Sequence, residues 1–340
     1  MNNNLIVMPC FSLEPNKISM FNQIYIGSNG SITKYGKRRS VSNDNLKRKF
    51  HNFKISDNAY RTLKKKINWL YYMAKPKHVK TYAGKDIYNF KINFITLTLP
   101  SKQKECTKNV TSKLFNQFLT EVRQRTKLEN YVWRLEFQKN KNVHYHIVTD
   151  CYLDYFFIQK IWNRILKKAG YLQAYSDKFK NLSLSQYNKV VNSSGKTAFN
   201  VIAKRYAKGC GANWEQPNTV DVKSVLNGKN IANYISKYFS KDAKDNSICN
   251  PLDNEENSKS LRLWFCSRSL SKLNTISDFV EATVIDWFSV VNKAKKVRRV
   301  VCQYAMLVYF DFKDFAQKEL IMLHKLFKDY AKKQGYSPAI

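Results

Sequence analysis

The chain is short of acidic side chains. Asp and Glu number 25 against 59 Lys and Arg, a formal charge of +34 over 340 residues. A charge of that size self-repels in a free compact protein and attracts polyanions through counterion release. Nucleic acid is therefore the first partner to consider. An anionic membrane surface comes second, but neither a basic amphipathic helix nor a lipidation signal supports it. CxxC pairs are lacking too: Cys10, Cys106, Cys151, Cys210, Cys249, Cys266 and Cys302 are odd in number and widely scattered. That argues against a disulfide framework and a zinc knuckle, and suits a reducing cytosol. Long hydrophobic runs are also missing. The longest, "VVCQYAMLVYF" from Val300 to Phe310, is interrupted by Gln303 and too short to span a bilayer. "MNNNLIVMPCFSLEPNK" carries no basic region ahead of its short apolar run, so no signal peptide is expected and the protein is expected inside the cell. The stretch "NSSGKT" ends like a phosphate-binding loop, but Val190 stands where that loop needs glycine, which argues against an ATPase.

What the chain does have is enough apolar material, 44% with 14% aromatic, to bury a sizeable core. Residues 1–55 are Asn/Ser-rich and then basic, and are expected to form a mobile arm, either a nucleic-acid contact or a solvated tail. From Ser56 or Asp57 as N-cap, Ala59, Leu63, Ile67 and Leu70 form the apolar stripe of a helix. A strand over Tyr88–Pro100 and a helix over Thr111–Lys127 follow. "YVWRLEFQ" and "VHYHIVTD" flank "KNKN" as a hairpin, and Leu153–Gly170 reads as a helix closed by glycine. Residues 171–218 resist assignment, apart from a helical pattern over Lys196–Ala207. Thr219–Val225 is a short strand, Asn230–Lys244 a helix and "LRLWFCSRS" a strand. The tail reads as a long strand over Val297–Asp311 and an amphipathic helix over Lys313–Lys333. No internal repeat is present.

Side chains alternate across a strand, so parity decides which residues share a face. Tyr131, Trp133, Leu135 and Phe137 are large and apolar, which leaves Arg134 and Glu136 on the other face. In the returning strand Val143, Tyr145 and Ile147 form the apolar set, and His144 and His146 take the other face. The same rule puts Thr96 and Thr98 opposite Ile95, Leu97 and Leu99. One sheet face then gathers Glu136, His144, His146 and two threonines. Two imidazoles and a carboxylate on a rigid sheet make a divalent-metal site with open positions, and the donor mix suits Mg²⁺ or Mn²⁺. Taken alone, "HYH" is better explained as a polar strand face; the matching parity of Glu136 turns the reading toward a ligand set. A second cluster is "NYISKYFSK", where Tyr234 and Tyr238 lie one helical turn apart, each followed three residues later by Lys237 and Lys241. A phenol with a free pKa near 10 needs an adjacent cation or a polarised electrophile to become a nucleophile. On its own, this helix is explained first by ordinary amphipathic packing in a chain with 21 tyrosines.

In that order, "FITLTLP", "HYH" and "YISKYFSK" resemble motifs 1, 2 and 3 of the HUH endonucleases that initiate rolling-circle replication. The similarity is nearest to initiators of small single-stranded DNA phages, microviruses in particular, and covers roughly residues 60–270. Tyr145 departs from the aliphatic residue usual at its position. The resemblance implies an α+β HUH fold with a central antiparallel, ferredoxin- or RRM-like sheet flanked by helices. It implies Mg²⁺ or Mn²⁺ held by His144, His146 and Glu136, and Tyr234 and Tyr238 as alternating nucleophiles assisted by Lys237 and Lys241. It implies single-stranded origin DNA as substrate; Arg134, Thr96 and Thr98 on the cluster face are expected contacts, and so, from the basic charge of the arm alone, is the pair Arg38 and Arg39. A host helicase and DNA polymerase become expected partners, and the cytoplasm of a bacterial host the expected location. The expected organisation is an arm over 1–55, an endonuclease domain over 56–275 and an extension over 276–340. Two alternatives stay open: a plasmid or mobile-element initiator of the same chemistry, and a non-catalytic RRM-like module that presents aromatics to bases.

Overall fold

Alternating apolar positions in the middle of the chain produce a five-stranded antiparallel sheet. Its strands are β6 (Ile92–Thr98), β7 (Tyr131–Phe137), β8 (Val143–Thr149), β9 (Val220–Val225) and β10 (Trp264–Cys266), in the order β10-β7-β8-β6-β9. The computed structural model describes residues 4–28, 31–34, 55–225, 250–254, 261–273, 276–277, 289–303, 305–310, 314–333 and 335. The architecture is α+β with antiparallel sheets, as the resemblance implies.

The two faces of this sheet are unlike. One is wholly apolar: Ile95, Leu97, Trp133, Leu135, Tyr145 and Ile147 pack under a helical layer that supplies Phe115, Phe118, Ile158, Trp162 and Ile165. Two elements form that layer. One runs as α2 (Thr107–Asn109), a π-helical turn (Val110–Phe115) and α3 (Asn116–Arg125). The other is α4 (Tyr155–Lys168), capped by the Asp154 carboxylate on Phe156 N and followed by Gly170 at φ +74°. Tyr145 is fully buried in this core, stacked on Phe115 at 3.9 Å, with its hydroxyl 2.8 Å from that of Thr111. Its neighbours His144 and His146 therefore have only the other face to occupy.

That other face is divided. At one end Phe94, Val132 and Val148 pack against α1 (Asp57–Met73), through a cluster that includes Ile67 and Leu70. Ser56 caps α1 by accepting a hydrogen bond from Ala59 N. At the other end, among the described residues, neither apolar cluster extends over the polar residues of β6, β7 and β8.

The termini differ from the expected arm and extension. β1 (Asn4–Glu14) and β2 (Lys17–Ser28) form a long hairpin, closed at Pro15–Asn16 and in register from Asn4↔Gly27 to Glu14↔Lys17. β3 (Ser31–Lys34) extends it. The tail supplies β11 (Ile276–Ser277), β12 (Val297–Cys302) and β13 (Ala305–Phe310), giving the order β11-β1-β2-β13-β12. The expected single strand over Val297–Asp311 is thus two strands folded on each other. This second sheet lies on α1 through Phe11, Ile18 and Val308, and the tail helix Gln317–Lys333 adds Leu323 and Phe327 to the same core. The physical reason is burial: the apolar face of α1 needs a cover, and the two termini provide it jointly. Among the described residues, 4–34 are therefore structural rather than an arm. Arg38 and Arg39 lie outside the described residues.

The remaining differences are local. The strand expected over Tyr88–Pro100 breaks at Lys91 into β5 (Asp86–Phe90) and β6, and β5 pairs with β4 (Lys77–Lys80) in a separate ribbon. Residues left unassigned by sequence form α5 (Tyr171–Phe179), α6 (Leu184–Val191) and α7 (Phe199–Gly211). "NSSGKT" joins α6 to α7, two helices, rather than a strand to a helix. No helix among the described residues is long and apolar enough to cross a membrane.

Candidate metal centre

Register places the polar residues side by side. Across β7 and β8, Arg134 pairs with His146 and Glu136 with His144. Across β8 and β6, His146 pairs with Thr96 and His144 with Thr98. Directly opposed residues share a face, so Arg134, Glu136, His144, His146, Thr96 and Thr98 line one surface. Asp221, opposite Thr96 on β9, joins them and is bridged by Lys223 at 3.1 Å. Sequence reading missed Asp221; the parity of Thr219–Val225 against the threonine strand carries the signal.

Both imidazoles aim at one carboxylate oxygen. Nε2 of His144 is 3.4 Å and Nε2 of His146 3.2 Å from Glu136 Oε2. One ligand atom from each of the three side chains lies within 4.8 Å of the others, so the group could hold a metal ion. Glu136 and His146 are buried and His144 half-buried. The second carboxylate oxygen, Glu136 Oε1, is buried without a hydrogen bond, though Arg134 Nε lies 3.6 Å away. Arg134 answers that oxygen by charge; it is the convergence of a carboxylate and two imidazole nitrogens within 4.8 Å that makes a donor set fitting a metal.

The electrostatics keep the ligands in binding form. Burial alone would raise the Glu136 pKa. Hydrogen bonds with His144 and His146, and the charges of His146 and Arg134, outweigh it and hold the carboxyl at about 2. Burial pushes the His146 imidazole down, with His144 and Arg134 adding to it against Glu136. The carboxylate is thus charged and His146 neutral at pH 7, the states that bind metal.

Orientation comes from neighbours. Thr96 Oγ1 lies 3.0 Å from His146 Nδ1, and Phe94 stacks on the same ring at 5.2 Å. A hydroxyl both donates and accepts, so Thr96 serves either tautomer while Nε2 stays turned to Glu136. Thr98 donates instead to the Thr219 carbonyl at 3.2 Å. The β7–β8 turn is pinned by Asn142, which accepts from Gln103 N and donates to Ser101 O, and by Gln103, which accepts from Val143 N. Asn250 donates to Lys141 O in the same turn. The chain at Asn250 is thereby tied to the β7–β8 turn that precedes His144.

Two placements differ from expectation or go beyond what is described. Arg134, expected to contact DNA, is 2% exposed and lies against Glu136, because strand parity turns it into the cluster rather than out of it. It is a charge partner of the carboxylate, not a surface contact. Tyr234, Lys237, Tyr238 and Lys241, with the helix expected over Asn230–Lys244, lie outside the described residues.

These features define an α+β protein with a carboxylate–imidazole cluster on the polar half of one face of an antiparallel sheet. Residues 92–243, under half of the chain, match the family model of the replication-associated protein ORF2. The match indicates a replication-initiator family, and it runs from β6 past both Tyr234 and Tyr238. No curated protein and no solved structure matches the chain.

Proposed function

We propose that the protein initiates rolling-circle replication by nicking and rejoining single-stranded DNA at an origin, with HUH-type chemistry. The observation that carries the reading is the convergence of Glu136, His144 and His146 on one polar sheet face within the matched segment. An RRM-like binding module gives no reason for a buried carboxylate to meet two imidazoles. Microvirus-type initiators, whose motifs the sequence resembles, supply the nearest parallel.

In this reading His144, His146 and Glu136 hold Mg²⁺ or Mn²⁺, the imidazoles favouring Mn²⁺. When bound, such an ion withdraws charge from a phosphate oxygen and makes phosphorus more electrophilic. Hydrogen bonds with His144 and His146, with Arg134 adding its charge, keep Glu136 ionised, and Thr96 and Phe94 hold the His146 ring in place. The Tyr234 oxygen attacks the scissile phosphorus after losing its proton, and Lys237 lowers the cost of that phenolate. The phosphorus–O3′ bond breaks and the departing O3′ takes up a proton, balancing the one the phenol gave up, which leaves a 5′-phosphotyrosine and a 3′-hydroxyl for a host polymerase to extend. Tyr238, assisted by Lys241, attacks the regenerated origin in the second round; the 3′-hydroxyl so released attacks the Tyr234 phosphodiester, the bond from phosphorus to the Tyr234 oxygen breaks, and the first strand is resealed with Tyr234 freed. Thr98 and the arm residues Arg38 and Arg39 are proposed strand contacts, and a host helicase is the proposed unwinding partner.

The test is covalent capture. With Mn²⁺ and an origin single strand the protein forms an adduct that survives denaturing electrophoresis, and Tyr234→Phe reduces it strongly. Full cleavage by a Tyr234→Phe, Tyr238→Phe double variant would exclude the mechanism.

A further inference from the structure

We infer that the helical insert α5–α7 is a second DNA contact, gripping the phosphate backbone of duplex DNA apart from the metal-bearing sheet face. The insert lies between α4 and β9 and has its own small core. Phe179, Tyr187, Ile202 and Trp214 pack together, with Tyr175 and Tyr206 beside them. The Trp214 ring lies so close to Gly209 that a Cβ there would sit 2.4 Å from it, so α7 is held firmly against this core. Asn213 and Trp214 both have positive φ, and that reversal turns the ring back onto the helix.

What this rigid piece presents is charge of one sign. Between Asp177 and Glu215 no acidic residue occurs, the longest such stretch in the chain, while Lys178, Lys180, Lys189, Lys196, Lys204, Arg205 and Lys208 fall within it. Ile202 is the one described buried residue of α7; Lys204, Arg205 and Lys208 are exposed. None of these three pairs with a carboxylate among the described residues. Lys204 and Lys208 stand one turn apart, with Arg205 beside them, spanning about 6 Å along the helix. Uncompensated cations at that spacing on a fixed helix suit successive phosphates. Of the insert's described aromatics, Tyr175, Phe179, Tyr187, Tyr206 and Trp214 are turned into the small core and Phe199 alone is well exposed, too little for a stacking platform on unpaired bases, which favours duplex over single strand as the occupant.

The inference goes beyond nicking and does not rest on it, so its test runs in EDTA, where no cleavage occurs. Fluorescence anisotropy compares a duplex and a single strand of equal length, across a salt series, for three variants of the full chain. Lys204→Ala, Arg205→Ala, Lys208→Ala together should weaken duplex binding about tenfold or more at low salt and reduce the salt slope by about 2 to 3. The charge-matched control Lys318→Ala, Lys325→Ala, Lys328→Ala, on exposed positions of the tail helix, should change both much less. Lys204→Arg, Arg205→Lys, Lys208→Arg should bind like the parent, which separates lost charge from lost folding. Equal losses in the alanine set and the control, or a loss confined to the single strand, would overturn the inference.

Discussion

Replacing Glu136 with glutamine removes the charge at the centre of the cluster while keeping its volume. The carboxyl stands at about 2 in the folded protein against an ordinary 4.5. That difference corresponds to roughly 3 kcal/mol of stability at neutral pH. A depressed folded-state pKa gives stability that is present above the ordinary value and lost as pH falls toward the folded one. The wild type should therefore exceed Glu136→Gln by about 3 kcal/mol at pH 7, and the gap should close between about pH 5 and pH 2. His146, whose pKa burial lowers, adds acid sensitivity of the same sign; Glu136 partly offsets that lowering, so the difference reads the carboxylate together with its coupling to His146. Urea unfolding in EDTA across this pH range measures it. A gap that stays constant with pH, or a glutamine variant as stable as the parent at pH 7, would refute the electrostatic account.

Three further outcomes follow from neighbouring contacts. Thr96→Val takes away the hydroxyl that orients His146 and should weaken Mn²⁺ binding about tenfold without unfolding the sheet, as read by calorimetry. Tyr145→Phe keeps the ring on Phe115 but loses the contact with Thr111, and should cost only about 1 kcal/mol in urea unfolding. Gly209→Ala drives a methyl into the Trp214 ring and should destabilise the insert by about 1–3 kcal/mol, with a shift in tryptophan fluorescence to longer wavelength.

The central sheet is legible in the sequence because strand parity is a local signal. Each of β6, β7 and β8 carries its own alternation, and the short turn at Lys139–Asn142 fixes the register that brings Glu136 opposite His144. The same parity identifies Tyr145 as a core residue. Parity does not tell exposure, however, and it offers Arg134 as a DNA contact because its face is polar. Only the two-histidine cluster beside it shows that the guanidinium is enclosed. The terminal sheet is hidden for a different reason. β2 pairs with β13 from the far end of the chain, and the Asn-rich start and basic stretch after it mask the alternation of β1 and β2. The insert escapes sequence reading because its helices are short and separated by Ser, Asn and Gly. Their stability comes from packing on Trp214, a contact made through a backbone reversal that no periodicity announces.

The central claim is that Glu136, His144 and His146 form one metal centre. Electron paramagnetic resonance of Mn²⁺ titrated into the protein tests it directly. The account predicts one bound Mn²⁺ per chain, lost in His146→Ala and in Glu136→Gln. Unchanged Mn²⁺ binding in either variant would contradict it.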